Sequence, residues 1–423
     1  MPDMLDRSAR IIEGNERLEM RGLLNVGAGD VAEVAENVAL VESFSNVVAF
    51  ATGDGLTVFD VSHELFAPNA LGALRRWSPA PVRTAVYTHG HVDHVTGANV
   101  FDADAERAGA PAIRYVGHES VPLRFDRYKL TNGYNGVINQ RQFRLPEPLF
   151  PSEFRYPDEV YATAHTLDAG DTAFELHHAR GETDDHTWAW VPSHRALCVG
   201  DLFIWQFPNA GNPQKVQRYA WDWAVALRAM AALDAELLLP AHGPAIGGAQ
   251  HVRQVLTDTA DALESLHAQT LELMNAGARL DDVVHSVRLP DRLAALPYLQ
   301  PTYDEPEFVV RNLWRLYGGW YDGNPAHLKP ASDVAIARET AALAGGADRL
   351  AARAEEVAAD GDLRLACHLA EMAALAAPDD RRVHEVRAAV YEARRDAETS
   401  FMASGIYRSA ALDSQARVHE LDG

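Results

Sequence analysis

Short runs of apolar and β-branched residues, separated by turn-forming residues, dominate the first part of the chain. Residues 38–41, 47–52 and 56–61 are such runs, and Ser-Asn and Gly-Asp-Gly interrupt them. Runs of this length predict strands, and the interruptions are typical of hairpin turns. We therefore expect a β-sheet to open the first domain.

A helix and a buried strand follow. Residues 67–77 have the apolar spacing of a helix, and Pro79 and Pro81 end it. Residues 82–87 are rich in β-branched and aromatic side chains, in a run short enough for a buried parallel strand. Further strands are predicted at residues 173–177, 187–191, 196–199 and 236–239.

Residue types that bind metals follow several of these strands. Thr-His-Gly-His-Val-Asp-His comes directly after the strand at 82–87, and single acids or histidines follow the later strands. These residues are His89, His91, Asp93, His94, Glu182, Asp201 and His242. In open α/β sheets ligands bind at the carboxyl ends of strands, and imidazole with carboxylate suits a divalent metal such as zinc. The sequence therefore predicts a metal centre with room for two ions.

The order of these motifs resembles the metallo-β-lactamase superfamily over residues 39–247. The resemblance implies an α/β fold, the αββα sandwich of two mixed sheets with helices outside. It also implies two divalent metal ions per chain, expected to be zinc, with manganese or iron as alternatives. By this resemblance His89, His91 and Glu182 hold one ion, and Asp93, His94 and His242 hold the other. Asp201 bridges the two ions. The resemblance also implies Asp93 and Asp201 as the catalytic residues.

Glu182 stands where most members of the superfamily carry histidine, and in this the chain resembles the alkylsulfatase branch. Residues 314–330 resemble the entry to that branch's dimerisation domain, and residues 331–423 are Ala-rich with helical apolar spacing. The resemblance implies a catalytic domain at residues 1–290 and an all-α helical dimerisation domain at residues 291–423. We expect a homodimer formed through the C-terminal helices.

The implied function is ester hydrolysis, with a water activated between the two ions as the nucleophile. A sulfate ester is the first expectation, because the resemblance is to alkylsulfatases. A carboxylic ester, lactone or thioester is the alternative, since an arginine expected in the sulfate-binding loop is replaced by Asn212-Pro213. A second alternative is a relative that keeps one iron and oxidises a sulfur substrate.

Two polar stretches are candidates for substrate binding, and we expect them on loops near the metal centre. Cationic and amide side chains suit a small, anionic ester, because they donate hydrogen bonds to its oxygens. The candidates are Asn132, Tyr134, Asn135, Asn139 and Arg141 in the first stretch, and Asn209, Asn212, Lys215 and Arg218 in the second.

Composition narrows the class of protein further. The chain has 423 residues and a formal net charge of −22, which argues against a nucleic-acid partner. The two cysteines, Cys198 and Cys367, do not indicate a disulfide framework. The sequence has no apolar run of about eighteen residues and no signal-peptide pattern, so we expect a cytoplasmic protein without a membrane partner.

Overall fold

The structure is a computed structural model that describes residues 2–16, 29–143 and 145–422. The chain forms two compact units. The first, here called the sheet unit, comprises Met1–Asn132 and Pro151–Trp320. The second, here called the helical unit, comprises Gly133–Phe150 and Tyr321–Gly423.

The sheet unit contains two β-sheets. The strands of the first are β1 (Val31–Ala35), β2 (Val38–Val41), β3 (Val47–Thr52), β4 (Gly55–Phe59), β5 (Val82–Val86), β6 (Arg114–His118) and β7 (Glu159–Tyr161). The strands of the second are β8 (Ala164–Ala169), β9 (Thr172–His178), β10 (Thr187–Val191), β11 (Ala196–Gly200), β12 (Leu237–Pro240) and β13 (Ile246–Gly247). The strands predicted from the sequence are confirmed as β2–β5 and β9–β12, with ends that differ by one or two residues.

Helices cover the sheets and make up most of the helical unit. In chain order they are α1 (Pro2–Ile12), α2 (Ala67–Trp77), α3 (Val92–Val95), α4 (Ala98–Arg107), α5 (Ser120–Leu130), α6 (Asn132–Phe143), α7 (Ala220–Ala231), α8 (Ala249–Asn275), α9 (Leu280–Ser286), α10 (Asp291–Ala294), α11 (Pro306–Gly318), α12 (Pro325–Leu328), α13 (Asp333–Ala344), α14 (Ala347–Ala359), α15 (Leu363–Ala376), α16 (Arg381–Asp396) and α17 (Phe401–Leu421).

Strand direction brings the ends of several strands together. In the first sheet β1–β4 pair antiparallel and β4–β7 pair parallel. In the second, β8–β11 pair antiparallel and β12 lies parallel to β11. Hydrogen bonds join the two sheets at the edge where β5 and β12 end, from Thr187 N to Thr88 O (2.6 Å) and from Asn46 N to Ala241 O (2.7 Å). The segments after β5, β11 and β12 therefore lie side by side.

Neighbouring residues along the strands face different layers. Phe50 of β3 packs between the sheets against Phe174 of β9, with ring centroids 5.1 Å apart, whereas Ala49 shares an outer core with Leu74 of α2. On the other side, Leu197 of β11 lies in one core with residues of α7 and α8. The order of layers is helix, sheet, sheet, helix, which confirms the predicted αββα sandwich.

The helical unit is built around alanine. Its core contains Ala354, Ala366, Ala370 and Ala373, small side chains that let helices approach closely, together with Leu350. Polar residues mark where the helices begin, because their side chains accept a hydrogen bond from a backbone N–H of the first turn. These N-caps are Ser332 of α13, Asp362 of α15, Asp380 of α16 and Ser400 of α17. The predicted all-α C-terminal region is confirmed.

Among the residues that the structure describes, every helix is too short or too polar to cross a lipid bilayer.

Gly97 lies between α3 and α4 at a point where the chain is packed too closely for a side chain. A Cβ atom there would lie 2.0 Å from Val61 O and 2.7 Å from the Cβ of Ala67. We expect Gly97→Ala to lower the free energy of unfolding by about 1–3 kcal/mol, because extra atoms in a packed core force the backbone to move. Urea denaturation measures this loss.

Gly72→Ala in α2 is the matched control, because the closest atom to an added Cβ lies 3.8 Å away. Glycine inside a helix costs about 0.5–1 kcal/mol relative to alanine. The control variant is therefore expected to be as stable as the wild-type protein or slightly more so. Equal losses in the two variants would contradict the packing argument.

Candidate metal centre

Four connections carry the predicted metal ligands to one edge of the sandwich. His89 and His91 lie directly after β5, and the short helix α3 carries Asp93 and His94. The other three follow later strands: Glu182 in the β9–β10 connection, Asp201 after β11 and His242 after β12. The structure thus brings together all seven residues predicted as metal ligands.

Gly200 allows β11 to deliver Asp201 into the centre. Its φ is +51°, a left-handed conformation that glycine adopts without strain. A Cβ atom at this position would lie 2.7 Å from the His186 ring and 2.8 Å from Thr88. Both the backbone angle and the space require glycine immediately before the Asp201 carboxylate.

The first group of ligand atoms, here called the Glu182 group, consists of His89, His91, Glu182 and Asp201. The Nε2 of His89 and the Nδ1 of His91 lie 2.9 Å apart, and Glu182 Oε2 lies 3.4 Å from each of them. Asp201 Oδ2 lies 3.8 Å from the Nε2 of His89. Two imidazoles and two carboxylates therefore point at one small volume.

The second group, here called the His242 group, consists of Asp93, His94 and His242. Asp93 Oδ2 lies 3.4 Å from the Nε2 atoms of both His94 and His242. Asp201 Oδ1 lies 3.5 Å from the same two nitrogens. One carboxylate, that of Asp201, thus turns one oxygen toward each group.

The spacing of these atoms fits metal ions. Ligand atoms about 2.0–2.2 Å from one tetrahedral ion lie about 3.3–3.6 Å from each other. Six of the separations given above are 3.4–3.5 Å, whereas His89 and His91 lie 2.9 Å apart and His89 and Asp201 lie 3.8 Å apart. Several of the atoms are buried and have no hydrogen-bond partner among the described residues, namely Glu182 Oε2, His94 Nε2 and Asp201 Oδ1. Buried polar atoms are rarely left in this state. The centre therefore suits divalent metal ions.

Charges within the centre reinforce the effect of burial on the pKa of His89 and oppose it at His94. Burial lowers the pKa of His89 well below its ordinary value, and His94 and His91 lower it further. Burial also lowers the pKa of His94, but the carboxylates of Asp201, Asp93 and Asp60 outweigh this and raise it well above its ordinary value. Metal binding at His94 must therefore displace a proton.

Asp60 supports the His242 group by contacting the ring nitrogen of His94 that faces away from Asp93. It lies directly after β4 with a φ of +59°, a strained conformation that aspartate tolerates better than most residues. Its carboxylate accepts hydrogen bonds from Thr88 N (2.8 Å) and Thr88 Oγ1 (2.7 Å), and lies 2.8 Å from the Nδ1 of His94. The Nε2 of His94 is thereby turned toward Asp93. Our sequence analysis missed Asp60, because it lies inside the run of residues 56–61 that was predicted as a strand.

A buried ion pair supports the loop between His89 and His91. Arg124 Nε donates to Asp185 Oδ2 over 2.7 Å, and the same oxygen accepts a hydrogen bond from Gly90 N over 3.0 Å. The exposed fractions of the Arg124 and Asp185 side chains are 2% and 0%. The sequence analysis did not single out Arg124, because a lone arginine in a helix carries no signal of such a role.

His186 supports the carboxylate that faces both groups. Its Nε2 accepts a hydrogen bond from the backbone N–H of Asp201 over 3.1 Å, and its ring stacks on that of His89 with centroids 4.8 Å apart. Burial lowers the pKa of His186 to about 3, so the ring is neutral. A neutral ring can keep this nitrogen as an acceptor.

Comparison with known families agrees with this geometry. The model of the metallo-beta-lactamase superfamily matches residues 40–242, from β2 to the last predicted ligand. Over these residues the chain resembles the metallo-β-lactamase superfamily. The model for alkyl sulfatase dimerisation matches residues 279–416, so the C-terminal part of the chain resembles the alkylsulfatase-like branch.

This metallo-β-lactamase-fold chain is similar to named alkylsulfatases. It is 26% identical over 358 residues to a linear primary-alkylsulfatase of Pseudomonas sp., covering 79% of this chain and 67% of the relative. It is 27% identical over 341 residues to an alkyl/aryl-sulfatase of Saccharomyces cerevisiae, covering 74% of this chain and 52% of the relative.

Among solved structures, a stereoselective inverting sec-alkylsulfatase of Pseudomonas sp. superposes with a TM-score of 0.82 at 21% sequence identity. The match covers 92% of this chain and 66% of that protein, and at this identity it supports the fold. The chain thus spans only 52–67% of the length of these three proteins.

The second stretch of predicted substrate-binding residues lies in the connection between β11 and α7 of the metallo-β-lactamase fold. Asn209 Nδ2 and Arg218 Nη1 both bond to Glu182 Oε1, and the Arg218 contact is 2.7 Å long. Burial lowers the pKa of Lys215 to about 8 and Arg218 lowers it further, whereas Asp93 and Glu182 raise it. The Lys215 amine is therefore within range of the negative charge of one carboxylate in each group. Asn212 N donates to Asp304 over 3.1 Å.

The first stretch does not form the expected loop. Asn132–Phe143 is helix α6, because Asn135, Ile138 and Gln142 follow helical spacing and are buried on one face. Asn132 belongs to the sheet unit and donates to Pro151 O over 2.8 Å. The other four, Tyr134, Asn135, Asn139 and Arg141, belong to the helical unit. The expectation of a loop was wrong, and the substrate-binding role of these residues stays a prediction.

Tyr303 is a further side chain near the centre that our sequence analysis missed. Burial raises the pKa of its hydroxyl, and the charges of Glu182, Asp93 and Asp201 raise it further. The phenol is therefore within range of the negative charge of both groups and stays protonated. It lies in a Pro-Thr-Tyr-Asp sequence with no recognisable motif, and no sequence signal pointed to it.

Removing the buried acid behind the histidine loop should destabilise the fold. We expect Asp185→Ala to lower the free energy of unfolding by about 3–5 kcal/mol, because it leaves the Arg124 cation buried without this partner. Denaturation in urea measures the loss. Asp184→Ala is the control, since Asp184 pairs with the same arginine but its side chain is 40% exposed. That variant should lose at most about 1 kcal/mol, and equal losses in both variants would contradict the assignment.

Proposed function

We propose that the protein is a dinuclear metal-dependent hydrolase that cleaves sulfate esters of alcohols. The observation that carries the proposal is the Asp201 carboxylate, which turns one oxygen to each of two complete groups of ligand atoms. The nature of the ester is supported by the relatives, which are named as alkylsulfatases. The reaction consumes one water and yields an alcohol and hydrogen sulfate.

The roles of the residues follow from the two groups. His89, His91 and Glu182 would hold one ion, and Asp93, His94 and His242 the other, with Asp201 between them. Divalent ions in these places would lower the pKa of a coordinated water toward about 7 and polarise the oxygens of the ester. Asp60, His186 and the Arg124–Asp185 pair hold the ligands in place. Zinc suits this mixture of imidazole and carboxylate, and manganese or iron would also accept it.

Lys215 is the cationic side chain that we assign to attracting an anionic ester. Its amine is within range of the charges of Asp93 and Glu182, and its pKa of about 8 keeps it mostly charged at neutral pH. A charged amine gives a strong hydrogen bond to a sulfate oxygen. The phenol of Tyr303 stays protonated, so it is a second, neutral candidate donor to the ester.

A carboxylic ester, lactone or thioester is the second candidate substrate. The observation that favours it concerns Arg218, whose guanidinium is bonded to Glu182 and so is partly occupied within the protein. The third possibility, one iron with oxidation of a sulfur compound, is disfavoured because the Asp93, His94 and His242 ligands of a second ion are all present.

A hydrolysis panel on the metal-replete protein tests the proposal, with sulfate, phosphate, carboxylic, lactone and thioester substrates. We expect turnover of sulfate esters, and we expect Asp201→Asn to lose bound metal and at least about 100-fold in activity. The variant should keep an unchanged circular dichroism spectrum. Asp234→Asn is the control, because this exposed acid pairs only with surface arginines in the described structure. Turnover of carboxylic esters alone, or full activity in Asp201→Asn, would contradict the proposal.

We also propose that the protein is a homodimer formed through the helices of residues 291–423, with residues 1–290 as the catalytic domain. The match to the alkyl sulfatase dimerisation model supports this, although that match begins at residue 279 and the sheet unit extends to Trp320. Light scattering coupled to size-exclusion chromatography should give twice the mass of one chain. The mass of a single chain at micromolar concentration would contradict it.

A further inference from the structure

The two oxygens of Glu182 face different partners. Oε2 points into the Glu182 group, 3.4 Å from the His89 Nε2 and 3.4 Å from the His91 Nδ1. Oε1 points away from the group and receives Arg218 Nη1 at 2.7 Å together with the side-chain amide of Asn209. Among the described residues Oε2 has no hydrogen-bond partner, so it is left for a metal ion.

Burial stabilises this orientation of the Glu182 carboxylate. The exposed fractions are 3% for Glu182, 5% for Asn209 and 2% for Arg218, so water has little access to Oε1. A free carboxylate can rotate and bind a cation through one oxygen or both. With two donors on Oε1, rotation would break two charge-assisted hydrogen bonds in a poorly solvated place.

The donors are themselves held by a neighbouring helix. Asn209 and Arg218 lie in the connection between β11 and α7, and Asn312 of α11 donates from Nδ2 to the carbonyl oxygens of Ala210 and Arg218, both over 2.9 Å. Asp304 accepts from the backbone N–H of Gly211 over 2.6 Å in the same connection. The part of the connection that carries Asn209 and Arg218 is therefore held near both of these residues.

We propose that Arg218 and Asn209 are positioning residues that hold Glu182 as a single-oxygen ligand for the ion of the Glu182 group. This rests on the proposed metal centre, and it is independent of which ester is cleaved. It gives Arg218 a different role from gripping the substrate, because its Nη1 is directed at the ligand. Partners of this kind orient a metal ligand and are worth about 10–100-fold in metal affinity.

The test is a zinc titration of the metal-free protein against a chromophoric chelator, which resolves the two binding steps. We expect Arg218→Gln and Asn209→Ala each to weaken one step by about 10–100-fold and to leave the other unchanged. Asn209→Ala is the milder variant, because it removes a neutral donor and leaves no buried charge without a partner. Arg228→Gln is the control, since this arginine pairs with Asp261 and Glu264 elsewhere in the sheet unit, and it should change neither step.

A double variant separates positioning from a direct effect on the substrate. If Arg218 acts through Glu182, then Arg218→Gln combined with Glu182→Gln should weaken zinc binding no more than Glu182→Gln alone. Additive losses, or unchanged zinc affinity with a raised KM in Arg218→Gln, would overturn the inference. If Glu182→Gln itself leaves zinc binding unchanged, the proposed metal centre fails, which is a different outcome from failure of the positioning role.

Discussion

The Asp201 carboxylate faces both groups of ligand atoms, and the geometry of the centre depends on where that carboxylate lies. Asp201 is placed by backbone constraints: a glycine with positive φ before it, and the neutral ring of His186 accepting from its N–H. Burial raises the pKa of Asp201 to about 6, while His242 and His94 lower it. A carboxylate in this position is costly unless cations share it, and that cost is the physical reason for expecting metal.

Three parts of the centre have buried partners that fix their direction. Asp60 turns His94, the Asp185 carboxylate holds the turn at Gly90, and the Oε1 contacts of Glu182 leave Oε2 to the centre. These partners come from distant parts of the sequence and meet only because two sheets close over one core. The sandwich fold thus brings together the strand ends that carry the centre and the buried side chains that orient its residues.

It could be predicted that the seven residues of the two groups lie together, because they stand in short motifs after apolar runs. The strands could be predicted because runs and turns are local. The buried side chains that support the centre could not be predicted from the sequence. Arg124 reaches Asp185 across 61 positions, and Asn312 reaches Arg218 across 94, and local periodicity carries no information on such contacts. Residues 132–143 were wrongly predicted as a loop for a different reason. Their Asn and Gly content is typical of turns. Asn135, Ile138 and Gln142 are nevertheless buried on one face of a helix, and this tertiary packing outweighs the local preference for a turn.

The number of divalent ions bound per chain tests the central claim most directly, because the account depends on Asp201 lying between two complete groups. Elemental analysis of purified, metal-replete protein, referred to a quantitative amino-acid analysis, gives that number. The account predicts two ions per chain. A single ion per chain, whether zinc or iron, would contradict it.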